Sequence, residues 1–108
     1  MTNVPHSSIT RIVKMTFRPE EVATFQKLFE GWQHRILAFP GCRHLQLLHD
    51  LEDPRVFFTY SEWDGPADLE AYRTSDVFAG VWPEVKKLFA ARAAAWTVGR
   101  EHSMDAAR

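Results

Sequence analysis

The sequence contains a single cysteine, Cys42, so no internal disulfide can form and the chain suits a reducing compartment. Within a strand, Cys42 reads as a small buried hydrophobe rather than a nucleophile. An excess of charge is missing too. Thirteen Lys and Arg stand against fourteen Asp and Glu, for a net charge of −1, and no basic block occurs. Nucleic acid and anionic membrane surfaces therefore have no electrostatic hold on it. No apolar run reaches the length of a membrane span, and the polar start MTNVPHSSIT carries no signal-peptide core, so the expected location is cytoplasmic. There is no glycine-rich phosphate loop, no HExxH, no CxxC and no nucleophile elbow. The five histidines (His6, His34, His44, His49 and His102) form no i, i+4 pair, and no metal site is expected.

What is present is ordinary for one globular domain: 108 residues, 45% hydrophobic and 25% charged. The expected organisation is a tail over 1–7, a folded domain over 8–99 and a polar tail over 100–108. Ser8 to Phe17 reads as a first strand, with Ile9, Arg11, Val13, Met15 and Phe17 on one face. Pro19, Glu20 and Glu21 suit a helix start. Val22, Phe25, Phe29, Trp32 and Ile36, with Leu28, then form an apolar stripe at helical spacing, stopped before Pro40. Residues 39–63 read as a β-hairpin: Gly41 takes positive φ, Cys42–Leu51 and Arg55–Trp63 are strands, and Asp50–Pro54 is the reversal. After it, Asp64 is placed to cap one helix and Ser75 to cap another, and Pro83 calls for a kink or break near Trp82. Residues 90–95 could extend that helix, and Trp96-Thr97-Val98 suggests a last strand before Gly99.

The order strand, helix, strand, strand, helix, strand predicts an α+β fold of the ferredoxin-like βαββαβ type with a four-stranded antiparallel sheet. Its helices can cover only one face of the sheet. In the second hairpin strand both faces carry large apolar groups: Val56, Phe58 and Tyr60 on one, Phe57 and Trp63 on the other. A homodimer packed through the face bearing Val56, Phe58 and Tyr60 is the expected way to cover what remains.

One constellation suggests a site. Thr59 and Ser61 sit between Phe57 and Trp63 on the same strand face, leaving room for a hollow with hydroxyl groups on its floor. Pairing His49 with Val56 would add His44, Gln46 and Leu48 to that face, making His44 the candidate for catalytic proton transfer, and would send Leu45 and Leu47 to the other. The ordinary alternative is a set of strand residues whose hydroxyls bond the backbone. Flat side chains from the helices, Tyr72 and Trp82 among them, would wall the hollow and suit a planar aromatic ligand.

The stretch PGCRHLQLLHDLEDPRVFFTYSEWDGPADLEAYRTSDVFAGVWPEVKKLF resembles the antibiotic biosynthesis monooxygenase family. The signs are PGC opening the hairpin, a D-x-x-D-P turn, Y-S-x-W closing it, and L-x-x-Y-R-x-S-x-x-F in the helices; the resemblance spans about residues 8–99. It implies a dimeric α+β barrel and a cofactor-independent monooxygenase, in which a quinol, phenolic or polycyclic aromatic substrate passes electrons to O₂ without metal or flavin. Trp63 matches a pocket-lining tryptophan of the family. Two positions depart from particular relatives: Thr59 stands where anthrone-oxidising members carry asparagine, and Trp82 where haem-degrading members carry the axial histidine, which argues against haem chemistry. The alternatives are a non-catalytic dimeric binding protein for small aromatic ligands, or a lactone isomerase-type enzyme on the same fold.

Overall fold

The computed structural model describes residues 8–107; the tail expected over 1–7 lies outside them. Strand β1 runs Ile9–Thr16, and a 3-10 turn over Pro19–Glu21 leads into helix α1, Val22–Leu37. Then come β2 Cys42–His49, β3 Val56–Trp63, α2 Pro66–Arg73, α3 Asp76–Lys86 and β4 Ala94–Val98. The strands form one antiparallel sheet in the order β2-β3-β1-β4. This is the ferredoxin-like α+β arrangement. No helix among the described residues is long and apolar enough to cross a membrane.

Each element follows from local chemistry. Pro19 occupies the first turn, and α1 buries Phe25, Phe29, Trp32 and Ile36, a spacing of four, three and four that keeps one face on the sheet. Gly41 ends the connection with φ of 89°. Two helix starts diverge. Ser75 caps α3 as expected, its Oγ accepting the Phe78 N–H at 3.3 Å and donating to the Tyr72 carbonyl at 2.7 Å. Asp64 does not cap α2; Gly65 holds that position, and the Asp64 carboxylate binds the Arg43 guanidinium instead. Helix α3 runs unbroken through Pro83 rather than breaking at Trp82. Proline withholds one bond from the Ala79 carbonyl, and both residues are exposed, where water can serve. The helical stretch does not extend over 90–95. Phe89 bridges to Phe17, and the Ala90 N–H is bound by the Thr16 carbonyl at 2.8 Å, steering the chain back toward the sheet.

The hairpin register differs from the expected one, and the cause is a β-bulge. Cys42 faces Trp63, which the expected pairing also gives, but the next pair is His44 with Glu62, leaving Arg43 as an extra residue. From there Leu45 faces Ser61, Leu47 faces Thr59 and His49 faces Phe57, one step from the expected alignment. At the other end the Asp50 N–H is bound by the Val56 carbonyl at 2.9 Å, while the Asp50 carboxylate accepts the Glu52 and Asp53 N–H groups. Cys42 and Leu45 are three residues apart, and the bulge lets both face the helices. Leu45 and Leu47 therefore join the core face, and His44, Gln46 and Leu48 leave it.

The core lies between the sheet and the helices. Phe17, Phe25, Trp63 and Val85 are at most 1% exposed, and Phe17 stacks on Phe25 with ring centroids 4.1 Å apart. On the outer sheet face stand Ile12, Phe58, Tyr60, Leu48, Trp96 and Val98, in cross-strand rows such as Gln46, Tyr60, Ile12 and Trp96. Leu48, Trp96 and Val98 are 43%, 48% and 41% exposed, whereas Val56, expected to join this surface, is already buried within the chain.

Candidate functional site

A cavity of about 280 Å³ lies between the core face of the sheet and the helices. Strand β3 lends it Thr59, Ser61 and Trp63, α2 lends Tyr72, and α3 lends Phe78 and Trp82. Five of the seven residues singled out in the sequence thus meet here: Thr59, Ser61, Trp63, Tyr72 and Trp82. Phe57 does not line the cavity; it is buried beneath, against Phe25 at 5.4 Å and Phe17 at 5.9 Å. His44 is absent from the site. The bulge at Arg43 turns it to the outer face, where its ring meets Tyr60 edge-on at 6.3 Å. The register that nominated it for proton transfer does not form, and Leu45 occupies the wall in its place.

The wall is a run of aromatic rings. Trp63 and Tyr72 have centroids 5.2 Å apart, Tyr72 meets Phe78 edge-on at 5.3 Å, and Phe78 stacks on Trp82 at 5.6 Å. The spacing of these residues on α2 and α3 is the same helical pattern that builds a core, so sequence alone could not tell wall from filling.

The polar groups divide into spent and unspent. The Trp63 indole N–H donates to Ser61 Oγ at 2.9 Å, and that hydroxyl reaches the Arg11 carbonyl at 3.5 Å. Ser61 is therefore committed to the fold, and Trp63, 1% exposed, is as much core as wall. The Thr59 hydroxyl, by contrast, bonds no described residue, nor does the Tyr72 hydroxyl. Burial first, and the nearby Cys42 second, push the Tyr72 phenol well above its usual pKa, so it remains a protonated hydrogen-bond donor. The Cys42 thiol is itself pushed up by burial, with Sγ 3.8 Å from the His44 carbonyl, which leaves it a poor nucleophile. Trp32 also borders the cavity, and its buried indole N–H has no partner among the described residues.

Two cavity residues carry charge, and the sequence reading assigned neither a role: Arg11 on β1 and Arg73 at the end of α2. The period-two pattern held the signal for one of them, since Arg11 is the single charge among Ile9, Val13 and Met15. Among the described residues no carboxylate or imidazole lines the cavity, and no group of three or more His, Cys, Asp and Glu is arranged to hold a metal ion.

Comparison with known proteins places this architecture. The family described as antibiotic biosynthesis monooxygenase matches residues 8–81. Among solved structures, a conserved protein of Methanosarcina mazei superposes with a TM-score of 0.85 at 21% identity, over 90% of this chain and 96% of its own. A Mycobacterium tuberculosis protein gives 0.83 at 16% identity, over 92% and 100%. A structure described as an antibiotic biosynthesis monooxygenase gives 0.78 at 20% identity, over 93% and 99%. At these identities the likeness is one of fold. No curated protein matches the chain in sequence.

Proposed function

Because the chain belongs to the antibiotic biosynthesis monooxygenase family, we propose that it is a cofactor-independent monooxygenase acting on a quinol, phenolic or small polycyclic aromatic substrate. The observation that carries this reading is the cavity: a wall of Trp63, Tyr72, Phe78 and Trp82 with the unspent Thr59 hydroxyl on its floor. Its volume, about 280 Å³, lies just below the range of ligand pockets, about 300 to 1,000 Å³, and so favours a few fused rings over a large polycycle. In the reaction an ionised, electron-rich ring carbon bonds to O₂. One oxygen stays on carbon as carbonyl or hydroxyl, and the other leaves as water with the substrate's two hydrogens. The protein's part is to hold the ring flat against the aromatic wall, donate hydrogen bonds from Thr59 and Tyr72 to its oxygens, and keep water out.

We further propose that the working unit is a homodimer, two outer sheet faces packing to close an α+β barrel. Exposed Leu48, Trp96 and Val98 beside Phe58 and Tyr60 support it.

A second reading, a binding protein for small aromatic molecules, is favoured by one feature: the lining offers no carboxylate or imidazole to act as a general base. An isomerase acting on lactones needs such an acid–base pair and gains no support from these residues. Oxygen uptake with naphthohydroquinones separates the first two. The monooxygenase consumes O₂ above buffer autoxidation and yields the hydroxylated quinone without accumulating peroxide. Tight binding with no uptake across the panel gives the second reading and ends the first. Thr59→Val tests the site, because it keeps shape and removes only the hydroxyl. It should leave the melting temperature near wild type and lower kcat/KM about five- to tenfold, the net worth of one hydrogen bond at roughly 1 kcal/mol. A lowered melting temperature with unchanged turnover would mean that Thr59 serves the fold.

A further inference from the structure

Arginine on the helix-facing side of a sheet needs a reason. Arg11 stands there between Ile9 and Val13, half-buried, and borders the cavity. Among the described residues its one side-chain hydrogen bond goes from Nη1 to the Thr97 hydroxyl at 2.8 Å, and none of their carboxylates lies within ion-pair distance. A guanidinium carries five N–H donors, so most of its capacity is unused. The second charge at the cavity has the same sign. Arg73, near its rim, pairs with an exposed Glu70 at 3.5 Å. Burial first and Arg73 second weaken the hold of Arg11 on its proton, the direction expected of two cations facing one space. Arg11, a guanidinium with no carboxylate partner among the described residues, beside an apolar, aromatic-walled hollow and with a second cation at its rim, makes an arrangement that an anion would relieve.

We infer that the ligand is an aromatic oxyanion, its ring on the Trp63–Trp82 wall and its charged oxygens on Arg11, with Arg73 adding long-range attraction. The inference rests on the proposed aromatic cavity and deepens it. It also answers the missing base: a substrate that arrives ionised, or whose acidity the two arginines raise, needs no carboxylate or imidazole to deprotonate it. A ring carboxylate and a phenolate share this chemistry.

The test compares 2-naphthoate with 2-naphthamide, which keeps the shape and removes the charge, by calorimetry on wild type, Arg11→Gln and Arg11→Lys. Naphthoate should bind wild type at least about tenfold more tightly, as a charge-assisted hydrogen bond gives. Arg11→Gln should erase the preference while leaving naphthamide affinity unchanged, and Arg11→Lys should keep part of it. A 4-nitrophenol titration, read by its colour, identifies the source. Ionisation shifted to lower pH by wild type but not by Arg11→Gln indicates a phenolate; no shift alongside naphthoate selectivity indicates a carboxylate. Equal affinity of wild type for the two naphthalenes overturns the inference and leaves the cavity reading standing. So does an equal loss of both in Arg11→Gln, and so would a carboxylate from a second copy already seated on Arg11, which would make the probes equivalent. Binding of neither probe overturns the cavity reading and this inference together.

Discussion

Ser61 and Thr59 are two residues apart on one strand face, both carry a hydroxyl, and they differ in what that hydroxyl does. Ser61, buried, accepts the indole N–H of Trp63, whereas Thr59 Oγ1 meets no partner among the described residues. Replacing Ser61 by alanine leaves the Trp63 N–H buried and unpaired, which costs about 1–3 kcal/mol. For a domain of this size that lowers the melting temperature by roughly 4–8 °C per kcal/mol. In a double-mutant cycle with Trp63→Phe, most of the Ser61→Ala penalty should disappear, because the donor is gone as well. A full Ser61→Ala penalty in the Trp63→Phe background would show that the serine is held for another reason. The same contact makes Trp63→Ala a poor probe of ligand binding, since removing a buried tryptophan costs about 3–5 kcal/mol of stability. Trp82, half-buried on the same wall, is the better position to truncate.

At the scale of elements, the joint between α1 and β2 is held by Gly41. Its φ of 89° suits glycine, and a Cβ there would stand 2.5 Å from the Asp68 side chain on α2. Gly41→Ala therefore meets both backbone strain and a collision, and should destabilise the chain by about 1–3 kcal/mol in a denaturant titration. An unchanged midpoint would mean that the joint relaxes freely. This position was legible from Pro40-Gly41 alone, as were α1, the Ser75 cap and the sheet plan, because each depends on neighbours in sequence. The register of β2 was not, since a single extra residue at Arg43 turns every later side chain over. Simple alternation along Cys42–His49 contains no sign of it. The contacts that stabilise the bulge are the Arg43–Asp64 ion pair and the Asp64 N–H to Gly41 carbonyl bond of 2.8 Å, both long-range. That is why alternation alone assigns His44 to the cavity and Leu45 to the outside. Arg11 was legible in position but not in role, because the lack of a carboxylate partner for it among the described residues is a fact of three dimensions.

At the scale of the whole molecule, the sheet has one face under helices and one that no helix among the described residues covers. On that outer face Phe58 is flanked across the strands by Lys14 and Leu48, and Tyr60 by Ile12 and Gln46. If two such faces meet, Phe58→Asp would bury an uncompensated charge at a cost of several kcal/mol, and sedimentation should show the dimer replaced by monomer or aggregate. A wild-type monomer at micromolar concentration would remove the barrel from the account. The bulge at Arg43 has a bearing on association as well. Strand β2 is one edge of the sheet, with β4 at the other, and an edge of eight residues with open N–H and C=O groups invites a neighbour to add a strand. An intruding strand would have to match a ladder that miscounts by one near its start, beside a guanidinium that must stay hydrated. The irregularity that swings His44 away from the cavity thus also guards the β2 edge against an added strand.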